Sequence, residues 1–344
     1  MKTWQKLCDD STLWDNYFLR EKTIKEIRLF FDQQKFHEVE TPILSAHPAA
    51  ESYLDVFATT LLDRKKNQTL MYLSTSPEIQ LKKLLVAGIG NCYAITKSFR
   101  NGEVGDTLHT PEFTILEWYR VGATYMDIMK DCEQLFSHLL QGLALNLYRL
   151  SYQGKLIDLT VPWPRLSMIE AFKTYADIDL EEFFTIENAR NICVKKGYAV
   201  SPKNTWEELF NQIVLNEIEP ALNPTRPTIL YDFPADVAAL AKKKQSDPRF
   251  AERFEVYIGG LEIGDCYTEL TDWKEQEERF QKELLEIKRL GKTSYDYDHD
   301  FIEALKTGLP ACAGIAIGVD RVLMLLMDTI DIKDTMFFPI GELL

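Results

Sequence analysis

Apolar residues recur at three- and four-residue spacing through KTIKEIRLFFDQQKF, so that Ile24, Ile27 and Phe31 share one side of a helix. The pattern predicts an amphipathic helix followed by a short strand in HEVETPIL. Residues 71–75 read as another strand, after which Ser76 and Pro77 supply a cap and a first-turn proline to the helix EIQLKKLLVAG. Two strands, Cys92 to Phe99 and Glu112 to Arg120, flank a polar loop containing glycine, and the helix YMDIMKDCEQLFSHLLQGL comes next. From about residue 165 to 225 the pattern is mostly helical and is broken by Pro202, Pro220, Pro224 and Pro227, which reads as an inserted helical subdomain. Strands resume at PTILYDF and FEVYIGGLEIG. A long polar helix covers 273–290, and an acidic loop, YDYDHD, precedes the last helices.

This order predicts an α+β fold, an antiparallel sheet with helices before, between and after its strands. Only some 17 residues precede the first predicted helix, too few for another folded unit, so residues 1–344 are expected to form a single domain.

Composition narrows the class. With 46% hydrophobic, 12% aromatic and 27% charged residues the chain has the make-up of a packed globular protein, which excludes a disordered or fibrous one. Its 39 basic and 53 acidic residues leave a net charge of −14, the wrong sign for a protein that must displace counterions from a phosphate backbone. The short basic runs Arg64-Lys65-Lys66, Lys82-Lys83, Lys195-Lys196 and Lys242-Lys243-Lys244 lie among acids and read as solvated surface. Six scattered cysteines without C-x-x-C spacing argue against a disulfide framework or structural zinc. Acids interrupt the N-terminus where a signal peptide would be apolar, and no run of about 18 apolar residues follows. A cytoplasmic protein with no membrane partner is expected.

Strand periodicity places the chemistry. In the second strand of the pair Phe113, Ile115, Glu117 and Tyr119 alternate onto one face, offering a surface for a flat ring and a cation; an aromatic core strand with Glu117 at its edge is the plainer alternative. In the first strand Ala94, Thr96 and Ser98 make a small-residue floor that ends in Arg100, a guanidinium fork suited to an anion. A turn at Gly259-Gly260 would pair Tyr257 with Glu262 and Glu255 with Gly264, putting Glu255 and Glu262 on one diagonal at roughly 7–8 Å. Two such carboxylates either share a divalent cation or simply face solvent. Glu269 lies an odd number of residues after Glu262 and joins that face only if a bulge, such as one at Gly264, reverses the parity. Near the end, the run from Gly314 through Gly318 and Asp320 to Arg321 leads into the apolar helix VLMLLM, which suits close backbone approach but also fits a packed strand-to-helix joint.

In order, these pieces resemble the three motifs of class II aminoacyl-tRNA synthetases. The first helix with the strand ending at Pro42 resembles motif 1, Ser98-Phe99-Arg100-Asn101 through Thr110-Pro111-Glu112-Phe113 resembles motif 2, and Gly314 to Arg321 resembles motif 3. The spacing of TSPE, PEFT-I-LEWY, RFEVYIGG and ELTD is similar to the lysyl branch. Within it, LEWYR, Ala316 in place of a usual glycine, and the expected lack of an anticodon-binding domain look most like the elongation factor P lysyltransferases, or elongation factor P–(R)-β-lysine ligases.

That resemblance implies the class II synthetase catalytic fold and ATP-dependent activation of lysine or β-lysine with magnesium. It further implies transfer to a lysine of elongation factor P, no tRNA partner, and a homodimer built on the motif 1 element. By the same resemblance Arg100 would hold the α-phosphate and substrate carboxylate, Phe113 and Arg321 would sandwich adenine, and Glu103 and His109 would contact ATP. Glu255 and Glu262 would hold magnesium. Ser76 and Glu78 would lie at the amino-acid site, Glu78 on the amino group near the carboxylate, while Glu117, Tyr119 and Glu269 would bind the distal ammonium. Asp265, where asparagine is usual, and Ala316 would favour an amino group displaced along the chain. The alternatives are an amide ligase or diadenosine-polyphosphate synthase using the same adenylate, or an inactive regulatory paralogue; retention of Arg100, Phe113, Glu255, Glu262 and Arg321 argues against the last.

Overall fold

Strands of alternating apolar and polar character can cover a core with one face and carry chemistry on the other, and the main sheet is built this way. The computed structural model describes residues 2–238 and 240–343. The sheet comprises β1 (His37–Glu38), β2 (Cys92–Phe99), β3 (Glu112–Val121), β4 (Arg165–Ser167), β5 (Thr228–Tyr231), β6 (Arg253–Ile258), β7 (Leu261–Thr268) and β8 (Cys312–Gly318). Their spatial order is β1-β2-β3-β8-β7-β6-β5-β4. The inner strands pair antiparallel, and only the short outer strands β1 and β4 pair parallel. The fold is therefore α+β with an antiparallel sheet flanked by helices.

One face carries Leu116 and Trp118 of β3, Ala313, Ile315 and Ile317 of β8, and Phe254, Val256 and Ile258 of β6, all buried. Three helices close over it: α1 (Trp14–Gln33), α3 (Tyr125–Gly142) and α6 (Val319–Met327). They contribute Ile27 and Phe31, Ile128 and Leu135, and Val322 and Leu325, each fully buried side chain being worth about 1.5–3 kcal/mol. On the opposite face α2 (Glu78–Val86), α4 (Trp273–Arg289) and α5 (His299–Gly308) cover one end through Ile79, Leu81, Phe280, Phe301 and Leu305. A helical region with its own apolar cluster, including Phe172, Phe183, Phe210 and Ile213, packs on Leu230 and Tyr257 at the other end. An open cleft is left between the two.

Several elements differ from the sequence reading. Helix α1 starts at Trp14, and a short helix, Thr3–Asp9, precedes it, so the first 17 residues are largely helical. The cause is tertiary: Tyr17 stacks on Phe337 from the far end of the chain with ring centroids 3.9 Å apart, and Trp14 also packs there. Of HEVETPIL, His37 and Glu38 pair with the main sheet, the Val39 N–H donates to the Tyr93 carbonyl at 2.8 Å, and Leu44 pairs with Leu73 in a separate small sheet. The region read as helical from 165 opens with β4, an edge strand. The strand Ala58–Leu62 is exposed at every position and so has no alternation to find.

Candidate active site

Strand register lines up the cleft. Ala94, Glu117, Ala316, Asp265 and Glu255 stand opposite one another across β2, β3, β8, β7 and β6, and Tyr119, Gly314, Tyr267 and Arg253 form the adjoining row. Gly314 is a spatial necessity, because a Cβ there would come within 2.4 Å of the Tyr119 ring. Gly259 and Gly260 both have positive φ, +65° and +88°, as a tight two-residue hairpin turn requires. Tyr257 does pair with Glu262, but Glu255 faces Asp265 instead of Gly264. The register shift inserts Ile263 as the extra residue, one position before the glycine considered from sequence, and turns its side chain into the core. This bulge reverses the parity of β7, so that Glu262, Asp265, Tyr267 and Glu269 all border the cleft.

One end of the cleft is cationic and aromatic. Arg100, Glu103, His109, Phe113 and Arg321 line a cavity of about 170 Å³. The Arg100 guanidinium lies 5.1 Å from the centroid of the Phe113 ring. It forms no ion pair among the described residues, and its buried Nε has no hydrogen-bond partner. Arg321 is steered from two sides, donating through Nη1 to the Glu262 carbonyl at 2.8 Å and through Nη2 to His109 Nε2 at 3.0 Å. Since guanidinium has only donors, Nε2 accepts and the His109 Nδ1–H points to Asp106 Oδ2 at 2.8 Å.

The other end is acidic. Ser76, Glu78, Glu117, Tyr119, Glu269 and Ala316 border a slot of about 70 Å³. Glu117 is 2% exposed and accepts from Tyr119 Oη at 2.6 Å and Ser76 Oγ at 2.7 Å, leaving each oxygen a further lone pair. Burial, with the nearby charge of Glu78, pushes its carboxyl up to about 8. Glu269 is driven the same way by burial, while the Lys82 ammonium opposes the shift.

Lys82 is the residue the sequence reading misplaced. Assigned to a solvated basic run, it is 1% exposed and ion-paired to Glu78 and, at 2.5 Å, to Glu269. Burial disfavours its charge, but the two carboxylates outweigh that and hold its pKa above the ordinary lysine value. Its spacing carried a signal: Glu78, Ile79, Lys82 and Leu85 fall on one helical face, and that face is buried.

Between the two ends a third cavity runs under the helical region, and Arg100 and Asp265 border all three. Arg253, also not singled out from sequence, holds Asp265 through Nε at 3.0 Å and Glu255 through Nη2 at 2.7 Å, with its guanidinium 4.5 Å from the Phe233 ring centroid. Asp265 additionally accepts from Tyr267 Oη at 2.6 Å, and Glu255 from Tyr257 Oη at 2.6 Å. Burial raises Glu255 to about 8 despite Arg253, with Glu262 and Asp265 adding to the rise. Among the described residues no group of three or more histidine, cysteine or acidic side chains stands ready as a metal centre. Glu255 and Glu262 each pair with a guanidinium, Glu262 with Arg321 at 3.2 Å, and two carboxylates so placed fit magnesium, which commonly takes one or two carboxylates and completes its shell with phosphates and water. No helix among the described residues is long and apolar enough to cross a membrane.

Residues 5–342 match the family of tRNA synthetases class II (D, K and N). Among curated proteins, the chain is 36% identical over 326 residues to the lysine–tRNA ligase of Pelotomaculum thermopropionicum, covering 93% of this chain and 62% of the relative. The lysine–tRNA ligase of Moorella thermoacetica is 35% identical over 328 residues, covering 94% and 64% respectively. That of Carboxydothermus hydrogenoformans is 36% identical over 329 residues, covering 95% and 65%. The chain thus spans a little under two thirds of the length of these relatives.

These relatives overturn the narrower reading from sequence. An elongation factor P lysyltransferase, with elongation factor P as acceptor, no tRNA partner and a preference for β-lysine, does not agree with relatives named lysine–tRNA ligase. The physical grounds for it were weak as well. Net charge is a sum over the whole surface and says little about where one polyanion docks. Asp265, held by Arg253 and Tyr267, is already matched to a cation and does not await a displaced ammonium. Ala316 adds one methyl to a frame otherwise shared. By the family match and the order of its motifs along one sheet, the chain belongs to the class II tRNA synthetases (D, K and N).

Proposed function

We propose that this chain carries out the activating step of a lysine–tRNA ligase, forming lysyl-adenylate from lysine and ATP and passing the lysyl group to tRNA. The observation that carries the reading is the division of one cleft into a cationic aromatic end and an acidic slot two of whose carboxylates, Glu78 and Glu269, already pair with an alkylammonium, that of Lys82. The acceptor is read from the relatives, which are lysine–tRNA ligases. ATP and magnesium are general to the class II fold.

In this reading adenine lies between Phe113 and Arg321, with His109 and Glu103 at the phosphates. The lysine side chain enters the slot, its ammonium meeting the free lone pairs of Glu117 and Glu269, and its α-amino group lies toward Glu78 and Ser76. The carboxylate then faces Arg100. An oxygen of that carboxylate attacks the α-phosphorus, the bond from phosphorus to the bridging oxygen breaks, and pyrophosphate leaves. Arg100, whose buried Nε has no hydrogen-bond partner in the free protein, donates to the charge that develops on phosphorus without first breaking an ion pair. Glu262 and Glu255 would hold magnesium, which when bound neutralises charge on the departing pyrophosphate.

The test is lysine-dependent ATP–pyrophosphate exchange, followed by lysylation of tRNA. Exchange with lysine well above that with other amino acids supports the reading, and its absence with lysine sinks it. Exchange without acylated tRNA would overturn the acceptor alone.

A further inference from the structure

We propose that Arg20, on α1 and outside the cleft, is the positioning residue of the adenine clamp, acting through Asp320 and Thr114 to set Arg321 and Phe113. The inference rests on the reading of this cleft as an ATP site. β8 ends at Gly318, opposite Ile115, so backbone pairing with β3 stops one residue short of Thr114. A side chain continues the ladder: the Thr114 N–H donates to Asp320 Oδ2 at 2.6 Å. Arg20 closes the ring, donating through Nη1 to Asp320 Oδ1 at 2.5 Å and through Nη2 to Thr114 Oγ1 at 2.7 Å. A further bond from Nη1 to the Thr335 carbonyl, 3.1 Å, ties the fork to the turn after α6.

Asp320 is 1% exposed and Thr114 is 6% exposed, so water cannot replace these contacts. Each of the two partners of Arg20 in the ring is one residue from a clamp residue. Thr114 follows Phe113, and Asp320 precedes Arg321. A planar guanidinium can bridge both partners at fixed angles, whereas an ammonium can satisfy Asp320 but not hold both in register. Loss of the fork leaves Asp320 a buried anion without its cation, and the Phe113 strand and the start of α6 lose the tie between them. Misplacement of reacting or binding groups by a fraction of an ångström to one ångström costs tenfold to a hundredfold in such sites.

The experiment is steady-state exchange kinetics with direct ATP binding by calorimetry, on wild type, Arg20→Met, Arg20→Lys and Thr114→Val. The expected result is a KM for ATP raised roughly tenfold or more in Arg20→Met and less in Arg20→Lys, with the KM for lysine within about threefold of wild type. Weaker ATP binding should accompany it, and Thr114→Val combined with Arg20→Lys should be less than additive. A merely structural arginine would lower the melting temperature of every variant and leave the ratio of the two KM values alone, and that result overturns the proposal. If Arg20→Met does not fold, the Arg20→Lys and Thr114→Val ratios decide it by the same criterion. Wild type that neither binds ATP nor exchanges removes the function proposed above and this inference with it; wild type that does both, beside variants with an unchanged ratio, removes only this inference.

Discussion

The two ends of the cleft are built on the same strands and solve opposite electrostatic problems. At the phosphate end Arg100 and Arg321 are half-buried; Arg100 stands without an acidic partner, and Arg321 shares its donors among a carbonyl, a histidine and Glu262. At the acidic end Glu78, Glu117 and Glu269 are nearly sealed, and a lysine of the protein's own is interposed among them. On the proposed function the difference follows from what each end would bind. A triphosphate brings charge in excess and water with it, so a guanidinium need only be aimed. A single ammonium at the tip of a flexible chain must be drawn out of water, and buried carboxylates do this only if their mutual repulsion is already contained. Lys82 contains it for Glu78 and Glu269, leaving Glu117 held by hydroxyls alone.

The largest effect that would test this division is on stability. Lys82→Met strands two buried carboxylates and is expected to cost about 3–5 kcal/mol, read by denaturant unfolding; a near wild-type midpoint would mean the pair is not closed to water. Next, Arg100→Ala and Arg321→Ala should each lower lysine-dependent exchange at least about a hundredfold while the fold persists, the usual loss for a donor at a developing charge. Activity near wild type in folded Arg100→Ala would deny that end its role.

At the acidic end Glu117→Gln keeps the shape and removes the charge. It is expected to raise the KM for lysine roughly tenfold or more, the worth of a charged hydrogen bond of about 1.5–3 kcal/mol, and to leave the KM for ATP unchanged. Both KM values rising together would dissolve the distinction between the ends.

Acidity sharpens it further. The Glu117 carboxyl, raised to about 8 by burial and Glu78, carries a proton below that pH in the free protein. Binding an ammonium there requires losing that proton, so lysine affinity should weaken as pH falls below about 8, by up to roughly tenfold per unit if one proton is released. The dependence should shrink in Glu117→Gln, with Glu269, raised in the same way by burial, carrying what remains. Ala316→Gly should be the smallest effect. Its methyl borders both cavities, and a change in kcat/KM for lysine of no more than about tenfold is expected, within the reach of one methyl in a pocket.

Much of the cleft could be read along the chain because each strand repeats with period two. The face shared by Phe113, Ile115, Glu117 and Tyr119, and the small floor ending at Arg100, follow from alternation alone. What escaped was of two kinds. Lys82 is buried because Glu269, far away in sequence, is there to meet it, and the half-buried Arg253 is met by Asp265 across the hairpin. The narrow assignment to a protein acceptor failed differently, by giving single departures such as Ala316 and Asp265 more weight than the frame around them.

The sequence by itself determined the α+β class, the strands of the cleft, the turn at Gly259-Gly260 and the membership of a synthetase-like motif set, because these depend on local periodicity, on glycine's backbone freedom and on fixed short spacings. Only the tertiary structure decided where the bulge falls, and so which of Glu262, Ile263 and Gly264 leaves the cleft. It alone brought Arg20 to Asp320, Lys82 to Glu269 and Arg253 to Asp265. The reason is physical: a bulge or an ion pair is selected by the summed packing and desolvation of residues a dozen to hundreds of positions apart, and no pattern within one element carries that sum.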